Sequence, residues 1–195
     1  MSTADGMATY DDLLDLPENV VGELIAGGLY ASPRPSPRNA NATAVLVASI
    51  GPAYHQGRGG PGGWWILFEP ELHLGDDVLV PDLAGWRRER LPKLPDTAYF
   101  SLAPDWVCEV LSPSTARIDR LLKMPRYAAA GVKHLWLVDP ILKTVETFAL
   151  DQGSWRLLGA YGDERELRAP PFDAVALDLR ALWGEDTAGE DSAGD

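Results

Sequence analysis

Two apolar runs, WVCEVL at 106–111 and HLWLVD at 134–139, are joined by a segment of helical pattern from about Thr115 to Ala130 that ends at Gly131. A strand–helix–strand unit closes as a crossover, and crossovers join parallel strands. At least one parallel pair is therefore expected, which places the chain in the α/β or α+β class with a mixed sheet. Pro125 lies inside the helical segment and predicts a kink or restart at Lys123–Met124.

The remaining pattern is mostly β. A short helical stretch runs from about Tyr10 to Leu16 and stops before Pro17. VVGELIAGGLYASP reads as a hairpin, because two apolar runs flank Ala-Gly-Gly. RPSPRN punctuates, and ANATAVLVASIGPAYH, from Ala40, carries the Ala/Val/Leu stripe of a helix. QGRGGPGG, with five glycines and a proline, reads as a loop. WWILFEPELHLG, VLVPDLAGW, TVETFAL and SWRLLGAY are strand-like, and PFDAVALDLRALW closes the pattern at Trp183. Residues 1–183 are expected to form one domain, and residues 184–195 an acidic disordered tail.

Composition limits what such a chain can do. Of 195 residues, 46% are hydrophobic, enough for a substantial core. The net charge of −12 argues against coating nucleic acid by bulk electrostatics, although five of the acids sit in the last twelve residues. One cysteine, Cys108, makes neither an intrachain disulfide nor a cysteine zinc site. With no signal peptide and no run of ~18 apolar residues, a cytoplasmic location without a membrane anchor is expected.

The feature that raises a chemical question is Glu109, a carboxylate inside the apolar strand. An unpaired buried carboxylate costs several kcal/mol. Glu109 must therefore be exposed, paired with Arg117 or Lys123, or bound to a cation. Strand alternation places it on one face with Val107 and Leu111, with Trp106, Cys108 and Val110 on the other. On the following helix, Asp119, Lys123 and Tyr127 recur at i, i+4 and i+8 and form one polar stripe. Upstream, VLVPDL ends an apolar run with Asp82. Two clustered carboxylates repel unless a hard divalent cation lies between them, and a lysine beside such a site can orient water or neutralise phosphate oxygens.

These residues carry a resemblance. PDL, PDWVCEVLSPST, DRLLK and YAAAGVKHLWLVDP, together with the hairpin GELIAGGLYASP, are similar to the Uma2 family of endonucleases within the PD-(D/E)XK nuclease superfamily. The likeness spans roughly Tyr10 to Trp183. It implies a restriction-endonuclease-like core, a mixed β-sheet flanked by helices with an N-terminal β-hairpin, and metal-dependent hydrolysis of DNA phosphodiesters. Asp82 is then the first acid and Glu109 the second, with the Val110 carbonyl completing a site for Mg²⁺ or Mn²⁺. Glu23 matches a glutamate typical of the family. Leu111 stands where the superfamily pattern places its lysine, and Lys123 takes that part from the next helix. Asn39 stands where the family often has histidine. A homodimer is expected if both strands of a duplex are cut. The other reading is a catalytically inactive module of the same fold that binds nucleic acid or protein.

Other residues read as structural. Cys108 is a small core residue, and His55, His73 and His134 have no ligand spacing. Glu69, Glu71 and His73 read as one solvated strand face, and Asp119 and Tyr127 as residues that position Lys123. Trp86–Arg90, WRRER, is the densest basic cluster, open to a phosphate, solvent or dimer contact.

Overall fold

The computed structural model describes residues 7–162 and 166–185. Helix α1 (Tyr10–Leu14) leads into the hairpin β1 (Val20–Ile25) and β2 (Gly28–Pro33), followed by helix α2 (Pro37–Ile50). Next come β3 (Trp64–Phe68), β4 (Glu71–Leu74), β5 (Asp77–Leu79), β6 (Leu83–Arg87), β7 (Tyr99–Phe100) and β8 (Trp106–Val110). Two short helices, α3 (Ala116–Ile118) and α4 (Met124–Ala129), precede β9 (His134–Asp139), β10 (Thr144–Asp151) and β11 (Ser154–Tyr161). β12 (Glu166–Leu167), β13 (Leu177–Asp178) and α5 (Leu179–Leu182) complete the described chain.

The strands form two principal sheets rather than one. The six-stranded sheet runs β11-β10-β9-β8-β6-β3 and contains the expected parallel pair, β8 with β9. The five-stranded sheet runs β2-β1-β5-β4-β7, so the N-terminal hairpin adds to β5 instead of standing alone. Its turn residues, Ala26 and Gly27, have φ of 53° and 76°, the left-handed conformation that a two-residue hairpin turn demands.

Strand alternation sorts the six-stranded sheet into two apolar layers. Trp106, Cys108 and Val110 pack on one side with Trp136, Leu46 and Ile50 of α2, and Phe172, whose ring meets Trp64, Trp106 and Trp136 edge-on. Val107, Leu111, Leu135 and Leu137 pack on the other side with Tyr127, and with Ile25, Leu72 and Leu79 of the five-stranded sheet. The strand carrying Glu109 is thus buried on both faces, in keeping with its near-continuous apolar sequence.

Several local expectations change. Helix α2 starts at Pro37, earlier than Ala40, because Ser36 caps it by accepting from the Asn39 N–H and proline suits its first turn. Gly51–His55 continues it as a π-type turn. The segment after β8 is helical through 116–129, but a π-type turn at Asp119–Lys123 precedes Pro125. Pro125 consequently falls in the first turn of α4, where its missing N–H breaks no bond. Glu69, Glu71 and His73 do not share one strand face. Glu69 has φ 40° just after β3, and Pro70 separates it from β4. Most of the predicted tail, residues 186–195, lies outside the described residues.

Candidate functional site

Asp82 lies immediately before β6, at the crossing from one sheet to the other, rather than at the end of a long strand. The antiparallel register of β6 and β8 pairs Leu83 with Cys108 and Ala84 with Val107. Continued by one residue, it brings Asp82 opposite Glu109, with both side chains on the side that faces the five-stranded sheet. The Val110 N–H donates to Asp82 Oδ2 at 2.7 Å, so the first acid is tied to the peptide next to the second.

Lys123 enters from the π-type turn. That turn adds a residue to the helical repeat and directs Asp119 and Lys123 inward together. The Lys123 amine lies 2.9 Å from Glu23 Oε1, 2.9 Å from Glu109 Oε1 and 3.6 Å from Asp119 Oδ1, and donates to the Val80 carbonyl at 3.3 Å. The four side chains are almost sealed, with Glu23 5%, Glu109 2%, Asp119 4% and Lys123 3% exposed. Glu23 also accepts the Val80 N–H at 2.7 Å, which locks the hairpin strand β1 to the segment leading to Asp82. The Tyr127 hydroxyl donates to Glu109 Oε1 at 2.6 Å.

The predicted residues Glu23, Asp82, Glu109, Val110 and Lys123 all line one cavity of about 610 Å³. Four carboxylates against one amine leave a surplus of negative charge, and the ionisation of the site reflects it. Burial pushes the Asp82 carboxyl up to about 6, despite the Val110 N–H and the Lys123 ammonium, which oppose the shift. Burial likewise raises Glu109 well above the ordinary carboxylate range; Lys123 works against this, and Asp119, Asp82 and Glu23 add to it. Asp119 is raised by burial against Lys123 and a hydrogen bond from Thr115. For Lys123, burial disfavours the charge, but Glu109 and Glu23 outweigh it and hold the amine protonated.

Asn39, marked in the sequence only as standing in place of a histidine, belongs to this site through contacts that sequence reasoning did not foresee. Its buried side-chain amide donates to the carbonyls of Val110 at 2.9 Å and Leu111 at 3.1 Å, and its Oδ1 accepts from Ser36 Oγ. The first turn of α2 therefore holds the end of β8. The Ser36-x-x-Asn39 spacing signals a helix cap, but not a partner 71 residues away. Leu111 is 1% exposed and packs in the core, so no lysine function could come from that position. Glu69 lines the cavity mouth and pairs with Arg34 at 3.6 Å.

The basic cluster lies elsewhere. Arg88 covers the Trp65 ring and donates to the carbonyls of His55 and Trp64, and Arg90 pairs with buried Asp105 at 2.7 Å. These arginines fasten the end of β6 remote from Asp82. Cys108 is buried in the layer opposite Glu109, as its strand parity predicts.

No curated protein matches the chain. Among solved structures it is similar to one titled a putative nuclease belonging to DUF820 from Anabaena variabilis ATCC 29413, with a TM-score of 0.73 and 24% identity over 91% of this chain and 98% of that one. That likeness supports the fold, a restriction-endonuclease-like core. The Uma2 family profile, described as putative restriction endonuclease, matches residues 8–180. With that match spanning nearly all of the described fold, the chain belongs to the Uma2 family.

Proposed function

We propose that this cavity hydrolyses DNA phosphodiester bonds with the help of a divalent cation, Mg²⁺ or Mn²⁺, held by Asp82, Glu109 and the Val110 carbonyl. The observation that carries the reading is the meeting of three buried carboxylates, Glu23, Glu109 and Asp119, the partly buried Asp82 and one buried amine along one cavity. Structure alone gains little from such an arrangement, because each desolvated charge is costly.

The donor set fits the cation. It consists only of oxygens, the ligands a hard cation takes, and Mg²⁺ typically uses one or two carboxylates while keeping several waters. Among the described residues no group of three or more His, Cys, Asp or Glu side chains is placed to hold a metal ion by itself, so the set proposed here is two carboxylates and a peptide carbonyl. The excess negative charge supplies the attraction. Bound there, a divalent cation would supply Lewis-acid polarisation of the phosphate and lower the pKa of water.

The chain's own residues complete the chemistry. Tyr127 donates to Glu109 Oε1 and so orients its other oxygen. Asn39 holds the Val110 peptide plane. Glu23 anchors Lys123 through Oε1, and the amine can stabilise charge on the phosphate oxygens once one of its N–H bonds is free. Arg34 and Arg38 at the cavity wall can meet flanking phosphates despite the acidic whole, and two copies of the site are required where both strands are cut.

The test is plasmid cleavage with Mg²⁺ or Mn²⁺ by the wild type and Asp82→Ala. Nicking should fall by about a hundredfold or more in the variant. Equal nicking by both proteins removes this cavity from the reaction. A properly folded wild type with no nicking favours the inactive binding module.

A further inference from the structure

Lys123 has no spare hydrogen-bond donor. An ammonium carries three N–H groups, and three acceptors surround this one: Glu23 Oε1 and Glu109 Oε1 at 2.9 Å each, and the Val80 carbonyl at 3.3 Å. The Asp119 carboxylate at 3.6 Å adds a further negative charge, and Tyr127 shares the same Glu109 oxygen. At 3% exposure the amine also meets almost no solvent. In this arrangement it cannot donate to a water or a phosphate.

We propose that Lys123 is the resident counter-ion of the carboxylate cluster and that it competes with a divalent cation for Glu109, so that cation binding releases the amine for chemistry. The proposal rests on the cation-site reading above. An ammonium and a divalent cation at one desolvated carboxylate repel each other, because the low dielectric that strengthens each attraction strengthens the repulsion equally. Of the two, the lysine has the flexible four-carbon stem and can move. The two states then differ in which cation neutralises Glu109. The pair of salt bridges at 2.9 Å is the state in which the lysine does so.

Removing the lysine should therefore strengthen binding of the other cation, and release of the amine is read separately in the wild type. Mn²⁺ titrated calorimetrically into the full chain should bind Lys123→Met about tenfold tighter or more than wild type. Equal or weaker binding by a folded variant overturns the proposal and leaves the cation site standing. No binding to either protein at millimolar Mn²⁺ overturns both.

Because the variant loses buried ion pairs, a second measurement uses the wild type alone. Reductive methylation of lysines, read peptide by peptide by mass spectrometry, should modify Lys123 several-fold faster with saturating Mg²⁺ than without. Lys93, 84% exposed, serves as the internal reference and should be unchanged. A Lys123 rate that does not respond to the cation overturns the proposal even if the variant fails to fold.

Discussion

Replacing Lys123 by methionine tests the energetics of the cluster most directly. Methionine keeps much of the lysine stem, so the cavity left in the packing is small. What disappears is the positive charge between Glu23 and Glu109, each 2.9 Å away and nearly inaccessible to water. Breaking a buried pair from one side costs about 3–5 kcal/mol, because the remaining charge stays desolvated and unpaired. Here two carboxylates lose their partner at once, and Asp119 lies close behind them, so about 4 kcal/mol is expected near pH 8 in the absence of metal.

The cost should depend on pH. Glu109 is held above its ordinary value of 4.5 in the fold, by burial first and then by its acidic neighbours, with Lys123 pulling the other way. A raised carboxyl contributes stability that is complete below its unfolded value and is lost as pH rises through its folded value. Removing Lys123 raises the folded value further and extends that loss. As pH falls the raised carboxyl keeps its proton and the cost should shrink. Urea unfolding of both proteins from pH 8 downward, metal-free, measures the difference. A cost below about 1 kcal/mol near pH 8, or one of equal size at both ends of the range, refutes the buried-charge argument.

Three further expectations follow from the same geometry. Tyr127→Phe deletes the 2.6 Å hydrogen bond to Glu109 and should cost about 1.5–3 kcal/mol in urea unfolding; a cost near zero would mean that the phenol does not hold Glu109. Asn39→Leu leaves the buried carbonyls of Val110 and Leu111 without that donor and should cost about 2–4 kcal/mol, while hydrogen exchange at the end of β8 quickens. For Asp82, a folded value of about 6 against an ordinary 3.8 means that its contribution to stability is present below the lower value and drains away as pH rises through the higher one. Mg²⁺ should offset that loss, so it should raise Tm more near pH 8 than near pH 5; the same increment at both pH values contradicts the assignment.

The π-type turn links the fold to the site. A regular helix through 119–127 would place Asp119, Lys123 and Tyr127 on one stripe with no extra residue to absorb before Pro125. Widening the turn at Asp119–Lys123 lets proline begin a fresh helix and still directs the amine toward Glu109. The constraint that looked like a kink in the sequence is met by a change of helical repeat.

Much of the architecture is written locally. The hairpin announces itself in apolar runs around Ala-Gly-Gly, and the parallel pair of β8 and β9 in two strand-length runs with a helix between them. The anomaly of Glu109 is visible because strand alternation and apolar neighbours are nearest-neighbour properties, and so is the stripe of Asp119, Lys123 and Tyr127. Those patterns could not specify that β1 pairs with β5, which is what carries Glu23 to Lys123 100 residues further on. They did not reveal that Asn39 braces the end of β8, or that Asp82 belongs to the gap between two sheets. Partner choice between distant strands depends on how whole apolar faces are buried together, and no short window of sequence contains that information. The sequence by itself determined which residues could not sit comfortably in the core; the tertiary structure decided that they meet one another there.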